Sequence, residues 1–128
     1  MRFVNDNMLL ENKYYKIINR ARKDLAASFD LLILPDCEVY QGHFPSNPIC
    51  PGACNIETIR ECASLLAGKE LHISYIKQCR FTSLATPCGT PRLRLEVLLV
   101  PVGTDYNVTA KMLEERTVYV EFKGVFCP

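Results

Sequence analysis

The stretch from Pro51 to Gly68, PGACNIETIRECASLLAG, is the one long run of helical periodicity in the sequence, and its apolar surface is too broad for a helix resting on a surface. Ile56, Ile59, Cys62, Ala63, Leu65 and Leu66 cover most of the circumference. Only a narrow stripe of Cys54, Glu57, Glu61 and Ser64, at spacings of three and four, interrupts them. A helix of this kind has to be covered on more than one side. Proline stands in its first turn, where a missing N–H costs nothing, and glycine marks its stop.

Strands are the material available to cover it. YYKIINRARK and ASFDLLILP precede the helix, and LHISYIKQCRF, RLRLEVLLV, DYNVTAKM and TVYVEFKGVF follow it, each reading as a strand by its alternation. Turn signals such as ATPCGTP and PVGT separate the last four, which predicts an antiparallel meander with one buried and one polar face. The expected order is two strands, one helix, four strands. This is an α+β chain in which a single sheet wraps the helix, because each needs one face covered and nothing else is present. At 128 residues, without repeat, linker or low-complexity tract, we expect one domain over 1–128.

Charge and composition exclude several classes of partner. A formal net charge of +1 supplies no overall field toward nucleic acid or a membrane, so any charged partner has to be met by a local patch. No window approaches the roughly 18 to 20 apolar residues of a membrane span, and the start carries no signal-like apolar run. Seven cysteines, an odd number set mostly in apolar stretches, suit buried thiols in a reducing compartment. The expected location is cytoplasmic.

The segment GHFPSNPICPGACNIE, residues 42–57, carries the chemistry. Pro45, Pro48 and Pro51 repeat every third residue, the period of polyproline II, so the loop is expected to be stiff. If extended, it spans roughly 25 Å from His43 to Pro51, whereas Glu57 lies only about 9 Å along the helix. For His43 to meet Glu57 the loop must bend back, or the acid must come from a second copy of the chain. Apolar surroundings and a like charge at Glu61 are expected to raise the pKa of Glu57, unless Arg60 offsets them by pairing with either acid. The N–H groups of Gly52 and Ala53 have no partner inside the helix and suit a carbonyl oxygen gaining negative charge. A base, an acid and an oxyanion donor are thus available, although on spacing alone an ordinary loop histidine and a solvated glutamate are the commoner reading.

The same segment resembles the signature GHFPxxPxxPGxxxxE of the 3-hydroxyacyl-[acyl carrier protein] dehydratases of the FabZ and FabA type, and matches every fixed position of it. The likeness extends more loosely over the whole chain, including IKQCRF after the helix. It implies the hotdog fold, a curved antiparallel sheet around one long helix. It implies a homodimer, with higher oligomers open, whose two sites each combine the histidine of one chain with the acid of the other. Carried over, His43 removes the α-proton of a 3-hydroxyacyl thioester, Glu57 protonates the departing hydroxyl, and the Gly52 N–H binds the thioester carbonyl. Phe44, Pro51 and Ala53 would line the substrate. The implied partner is acyl carrier protein bearing a phosphopantetheine-linked acyl chain, and no organic cofactor or metal is needed. Where such helices usually continue EAMAQ, this chain has Glu57-Thr58-Ile59-Arg60-Glu61, with a carboxylate in place of a neutral amide. The N-terminal LPHR-type segment is absent, which draws the chain toward relatives in specialised pathways such as aryl polyene synthesis.

Two other functions fit a hotdog chain: hydrolysis of an acyl thioester, and non-catalytic binding of an acyl carrier or acyl chain, the latter motivated by Glu61. Lys77 and Arg80, with Arg92 and Arg94, are candidates for a basic patch that meets an acidic carrier protein; solvated strand faces explain them equally well. Cys50, Cys54 and Cys62 with His43 straddle a stiff loop and two helix faces, so packing outweighs zinc binding. His72 is expected on a solvent face without a chemical role.

Overall fold

Two strands, a long helix and four strands are laid down in the expected order. The computed structural model describes residues 8–42, 50–87 and 89–128, with side chains at 41 and 42 excepted. Its elements are β1 (Tyr15–Lys23), β2 (Ala26–Ile33), α1 (Val39–Gly42), α2 (Gly52–Ala67), β3 (His72–Phe81), β4 (Arg92–Val102), β5 (Asp105–Glu114) and β6 (Thr117–Cys127). The single turn α1 is the one element that periodicity did not reveal, since four residues are too few to show a helical repeat. The ends of α2 follow the two signals read from sequence. Pro51 caps its start in an extended conformation, and Gly68 ends it at φ 73, its N–H bonded to the carbonyls of Ser64 and Leu65.

All six strands join one antiparallel sheet in the order β1-β2-β4-β5-β6-β3. The expected four-strand meander is therefore corrected. Only β4, β5 and β6 run as consecutive neighbours, while β2 lies beside β4 and β3 pairs with β6 at the far edge. Alternation within a run fixes which side chains share a face, but the neighbour of a strand is set by long-range register. Here β3 lies at the edge opposite β1, and β4 lies back across the sheet, beside β2.

The register sorts the two faces. Phe29, Leu95, Met112 and Val120 stand opposite one another on successive strands, all buried, and form part of the wall that faces the helix. The next row, Ser28, Glu96, Lys111, Glu121 and Arg80, points the other way. A trough of about 880 Å³ runs across that outer face, lined by Ala26, Ser28, Glu96, Lys111 and Glu121 among others. Along α2, Asn55 and every residue from Thr58 to Leu66 are buried, so the helix is enclosed on nearly all sides as its composition requires. Each buried Leu or Ile contributes about 1.5–3 kcal/mol relative to exposure, and Ile59, Leu66, Leu95 and Leu99 all lie in this core. The wrapped helix is the hotdog arrangement.

The two edges of the sheet differ. β1 exposes Lys16, Arg20, Arg22 and Lys23. β3 breaks register twice and exposes Tyr75, Ile76 and Phe81.

Candidate active site

The tip of α2 begins abruptly. Pro51 has no N–H and no side-chain capping group, and the first full helical bond runs from the Asn55 N–H to the Pro51 carbonyl at 3.1 Å. The N–H groups of Gly52, Ala53 and Cys54 consequently have no acceptor within the helix. Just before the tip, the Cys50 N–H donates to the Ala85 carbonyl at 2.8 Å, tying this entry to the loop after β3. The Phe81 ring, at the end of β3, stands over Gly52: a β-carbon there would lie 2.8 Å from the ring's Cζ. A side chain at 52 would thus have to displace the tip of an aromatic ring, in addition to whatever a ligand demands. Behind the tip, the Tyr14 hydroxyl donates to Asn55 Oδ1 at 2.8 Å, and the Tyr40 hydroxyl lies 3.5 Å from Cys50 Sγ. Burial, with Cys37, Cys50 and Glu57 nearby, holds the Cys54 thiol protonated above its ordinary range, so it is no activated nucleophile.

One and two turns further on stand the two acids, in very different settings. The Glu57 side chain is 30% exposed and is gripped by Arg60, whose Nε donates to both carboxylate oxygens at 2.9 and 3.1 Å and whose Nη2 donates at 2.6 Å. Arg60 Nη1 donates to the Leu71 carbonyl at 2.9 Å, which fixes the guanidinium against the start of β3. Burial alone would raise the pKa of Glu57, but hydrogen bonds from Arg60 and from the Glu61 carboxyl outweigh it and bring it below the ordinary carboxylate value. The expectation of a raised Glu57 is corrected on this ground: Arg60 reaches it first.

The raised acid is Glu61. It is fully buried, and its oxygens accept from the Leu10 N–H at 3.0 Å, the Glu11 N–H at 3.0 Å and the Tyr15 hydroxyl at 2.9 Å. Burial and the neighbouring Glu57 nevertheless push its pKa up to about 7, the donors from Leu10 and Tyr15 pulling the other way. The N-terminal turn is thereby clasped onto the helix by a carboxyl. One turn on, Ser64 accepts from the Leu71 N–H at 3.0 Å and completes the polar stripe.

Of the residues expected from sequence, Pro51, Gly52, Ala53 and Glu57 gather at the start of α2. His43 and Phe44 lie outside the described residues. Lys77 and Arg80 are exposed on β3, and Arg92 and Arg94 are on β4, with β5 and β6 between. Glu121 faces Arg80 in register, and Arg94 pairs with Asp30 at 3.3 Å. His72 is exposed, 3.5 Å from Glu70. Among the described residues no group of three or more His, Cys, Asp or Glu is placed to hold a metal ion. Sequence reasoning missed Asn55 and Tyr15 as parts of the site. The adjacent pair Tyr14-Tyr15 was the available signal, since two tyrosines opening a strand must find polar partners if buried.

Comparison with known proteins gives the family and the fold. Residues 19–119 match the family model of ApeI-like proteins, described as ApeI dehydratase. The chain is similar to 3-hydroxyacyl-[acyl-carrier-protein] dehydratase FabZ of Pediococcus pentosaceus, 34% identical over 68 residues that cover 48% of this chain and 46% of that protein. A FabZ of Enterococcus faecalis is 31% identical over 95 residues, 69% of this chain and 61% of that one. The match thus spans about half the length of the first such curated relatives. Among solved structures, the dehydratase heterocomplex ApeI:P from Xenorhabdus doucetiae superposes with a TM-score of 0.76 at 21% identity, covering 88% of this chain and 97% of that one. A hypothetical thioesterase with coenzyme A from Streptococcus pneumoniae superposes at 0.60 and 10% identity, covering 88% and 83%, a likeness of fold alone.

Proposed function

The chain belongs to the ApeI-like dehydratase family, and from this premise we propose that it dehydrates a 3-hydroxyacyl thioester on acyl carrier protein to the trans-2-enoyl thioester, in fatty acid or aryl polyene-type synthesis. The observation that carries the reading is the full motif GHFPSNPICPGACNIE inside the matched span, with Glu57 one turn beyond the tip of α2, whose first amides have no acceptor inside the helix. In this reading the thioester carbonyl accepts from the Gly52 N–H, which draws electron density from the α-carbon and makes its proton removable. His43 takes that proton, its electron pair forms the new double bond, and the C–O bond breaks as the hydroxyl is protonated from the Glu57 side. Pro51, Ala53, Phe44 and the Phe81 ring flank the acyl group, and Lys77 and Arg80 meet the acidic carrier.

The histidine is read as coming from a second copy of the chain. Support comes from β3, whose exposed Tyr75 and Ile76 lie on a free sheet edge that a partner strand would cover. A similar protein is described as a heterocomplex, so a non-identical partner on this edge is the alternative. Buried thiols at Cys50 and Cys62 suit a reducing, cytoplasmic setting, and no helix among the described residues is long and apolar enough to cross a membrane.

Hydration of a crotonyl thioester, followed by loss of the enoyl absorbance, tests the reading. Turnover abolished by His43→Ala supports it. Release of free thiol without any hydroxyacyl product means hydrolysis, and binding of the acyl carrier without turnover means a binding module; either result refutes it.

A further inference from the structure

The proposed dehydration needs a proton for the leaving hydroxyl, and Glu57 is poorly equipped to keep one. Its carboxylate is bidentate on a guanidinium that is itself pinned to Leu71, so loss of the proton is favoured there. One turn on, Glu61 is fully buried and stands four residues from Glu57 on the same face of α2, so the two carboxyls are neighbours. Ionised carboxylates are acceptors only, so this pair holds together through one proton. Two ionised carboxyls beside a single Arg60 would leave one buried negative charge uncompensated, whereas one carboxylate, one neutral acid and one guanidinium balance.

We propose that Glu61 is a positioning residue that acts through Glu57: it stores the proton that Arg60 prevents Glu57 from keeping, and delivers it by way of Glu57 to the departing hydroxyl. The inference rests on the dehydratase reading. The proton of Glu61 first passes to Glu57, leaving Glu61 ionised; as the C–O bond then breaks with its electron pair on oxygen, Glu57 gives that proton to the oxygen and water leaves. Glu57 ends ionised as it began. Glu61 ends as a carboxylate held by three donors, the Leu10 N–H, the Glu11 N–H and the Tyr15 hydroxyl, and this cradle lets a buried acid release its proton at all. The proton removed from the α-carbon leaves His43 to solvent, and one from solvent resets Glu61, so the cycle balances.

The charged and titratable groups around Glu61 are few. Glu57, Arg60 and Cys62 share its helix, Tyr15 reaches it from β1, and Glu11 belongs to the turn that donates to it. Burial and the neighbouring Cys62 and Glu61 raise the Tyr15 phenol far above its ordinary value, so it stays a donor throughout. Glu61 is left as the group pushed up to about 7, with Glu57 held below the ordinary carboxylate value.

The test compares pH profiles of kcat/KM for the wild type, Glu61→Gln and Arg60→Met/Glu61→Gln with the crotonyl thioester. Gln keeps a hydrogen bond to Glu57 but cannot give up a proton. The inference predicts that Glu61→Gln moves the descending limb to acid pH and lowers kcat/KM at neutral pH about tenfold or more. It also predicts that adding Arg60→Met returns activity, because Glu57 then keeps its own proton. A protonated-carboxyl stretch in infrared spectra, present in the wild type at pH 6 and missing in Glu61→Gln, is the readout independent of turnover. A Glu61→Gln profile superimposable on wild type, or a loss equal at every pH, overturns the inference even when His43→Ala is inactive. If the wild type shows no turnover, the functional reading fails, and the infrared band alone then decides for or against the stored proton.

Discussion

Replacing Glu61 by Gln makes a thermodynamic prediction that does not depend on any substrate. Glu61 is buried with Tyr15 and the Leu10 and Glu11 amides around it, and its pKa stands at about 7 in the fold against an ordinary 4.5. Between these values the folded chain holds a proton that the unfolded chain has lost, so stability falls as pH rises through this window. The gap between 4.5 and about 7, at about 1.4 kcal/mol for each tenfold step, is worth about 3 kcal/mol. Glu57 acts in the opposite sense and elsewhere: its lowered pKa adds stability that is present above the ordinary value of 4.5 and is lost on acidification below it. The assay is urea unfolding of the wild type and Glu61→Gln at pH 5 and pH 8, at one protomer concentration. Relative to wild type, the Gln variant should gain about 3 kcal/mol on going from pH 5 to pH 8, which moves the relative midpoint by about 1–2 M urea. A difference between the two proteins that stays flat with pH would show that Glu61 is ionised throughout and would refute the reasoning.

Two other substitutions probe the ends of α2. Gly68→Ala places a side chain at φ 73 where nothing stands within 4 Å, so it should cost about 1 kcal/mol through the backbone alone, with Gly68→Asn costing less; equal stability of all three in chemical denaturation would contradict the left-handed cap. Gly52→Ala brings a methyl to 2.8 Å from the Phe81 ring tip, and because that ring is half exposed it should swing aside at a cost below about 1 kcal/mol, while turnover falls about tenfold as the tip is obstructed. Loss of folding in this variant, read by circular dichroism, would mean the ring cannot move.

Much of this architecture is legible in the residues. Pro51 and Gly68 bracket α2, and every strand begins and ends within a few residues of its alternating run, because cap chemistry and period are local properties. The place of β3 in the sheet is not local: IKQCRF alternates whether it lies beside β4 or beside β6, and only the pairing of Ile73 with Phe126 and of Cys79 with Phe122 decides it. The same division runs through the site. The motif from His43 to Glu57 announces an acid and amides without an acceptor inside the helix, but which acid keeps its proton depends on Arg60 turning back to Glu57. It depends equally on Leu10 and Glu11 arriving from some fifty positions away to hold Glu61. NMLLENKYY has no periodicity to betray that contact.

The unlike rims of the sheet bear on how large an assembly of such chains can grow. A newcomer strand laid against β1 would have to lie along Lys16, Arg20, Arg22 and Lys23 and would be repelled by its own copy of them, while one laid against β3 would bring Tyr75 and Ile76 out of water. Lateral addition is welcomed at one end and refused at the other. Two chains joined through β3 would leave only the charged β1 edges open, which disfavours growth into fibres.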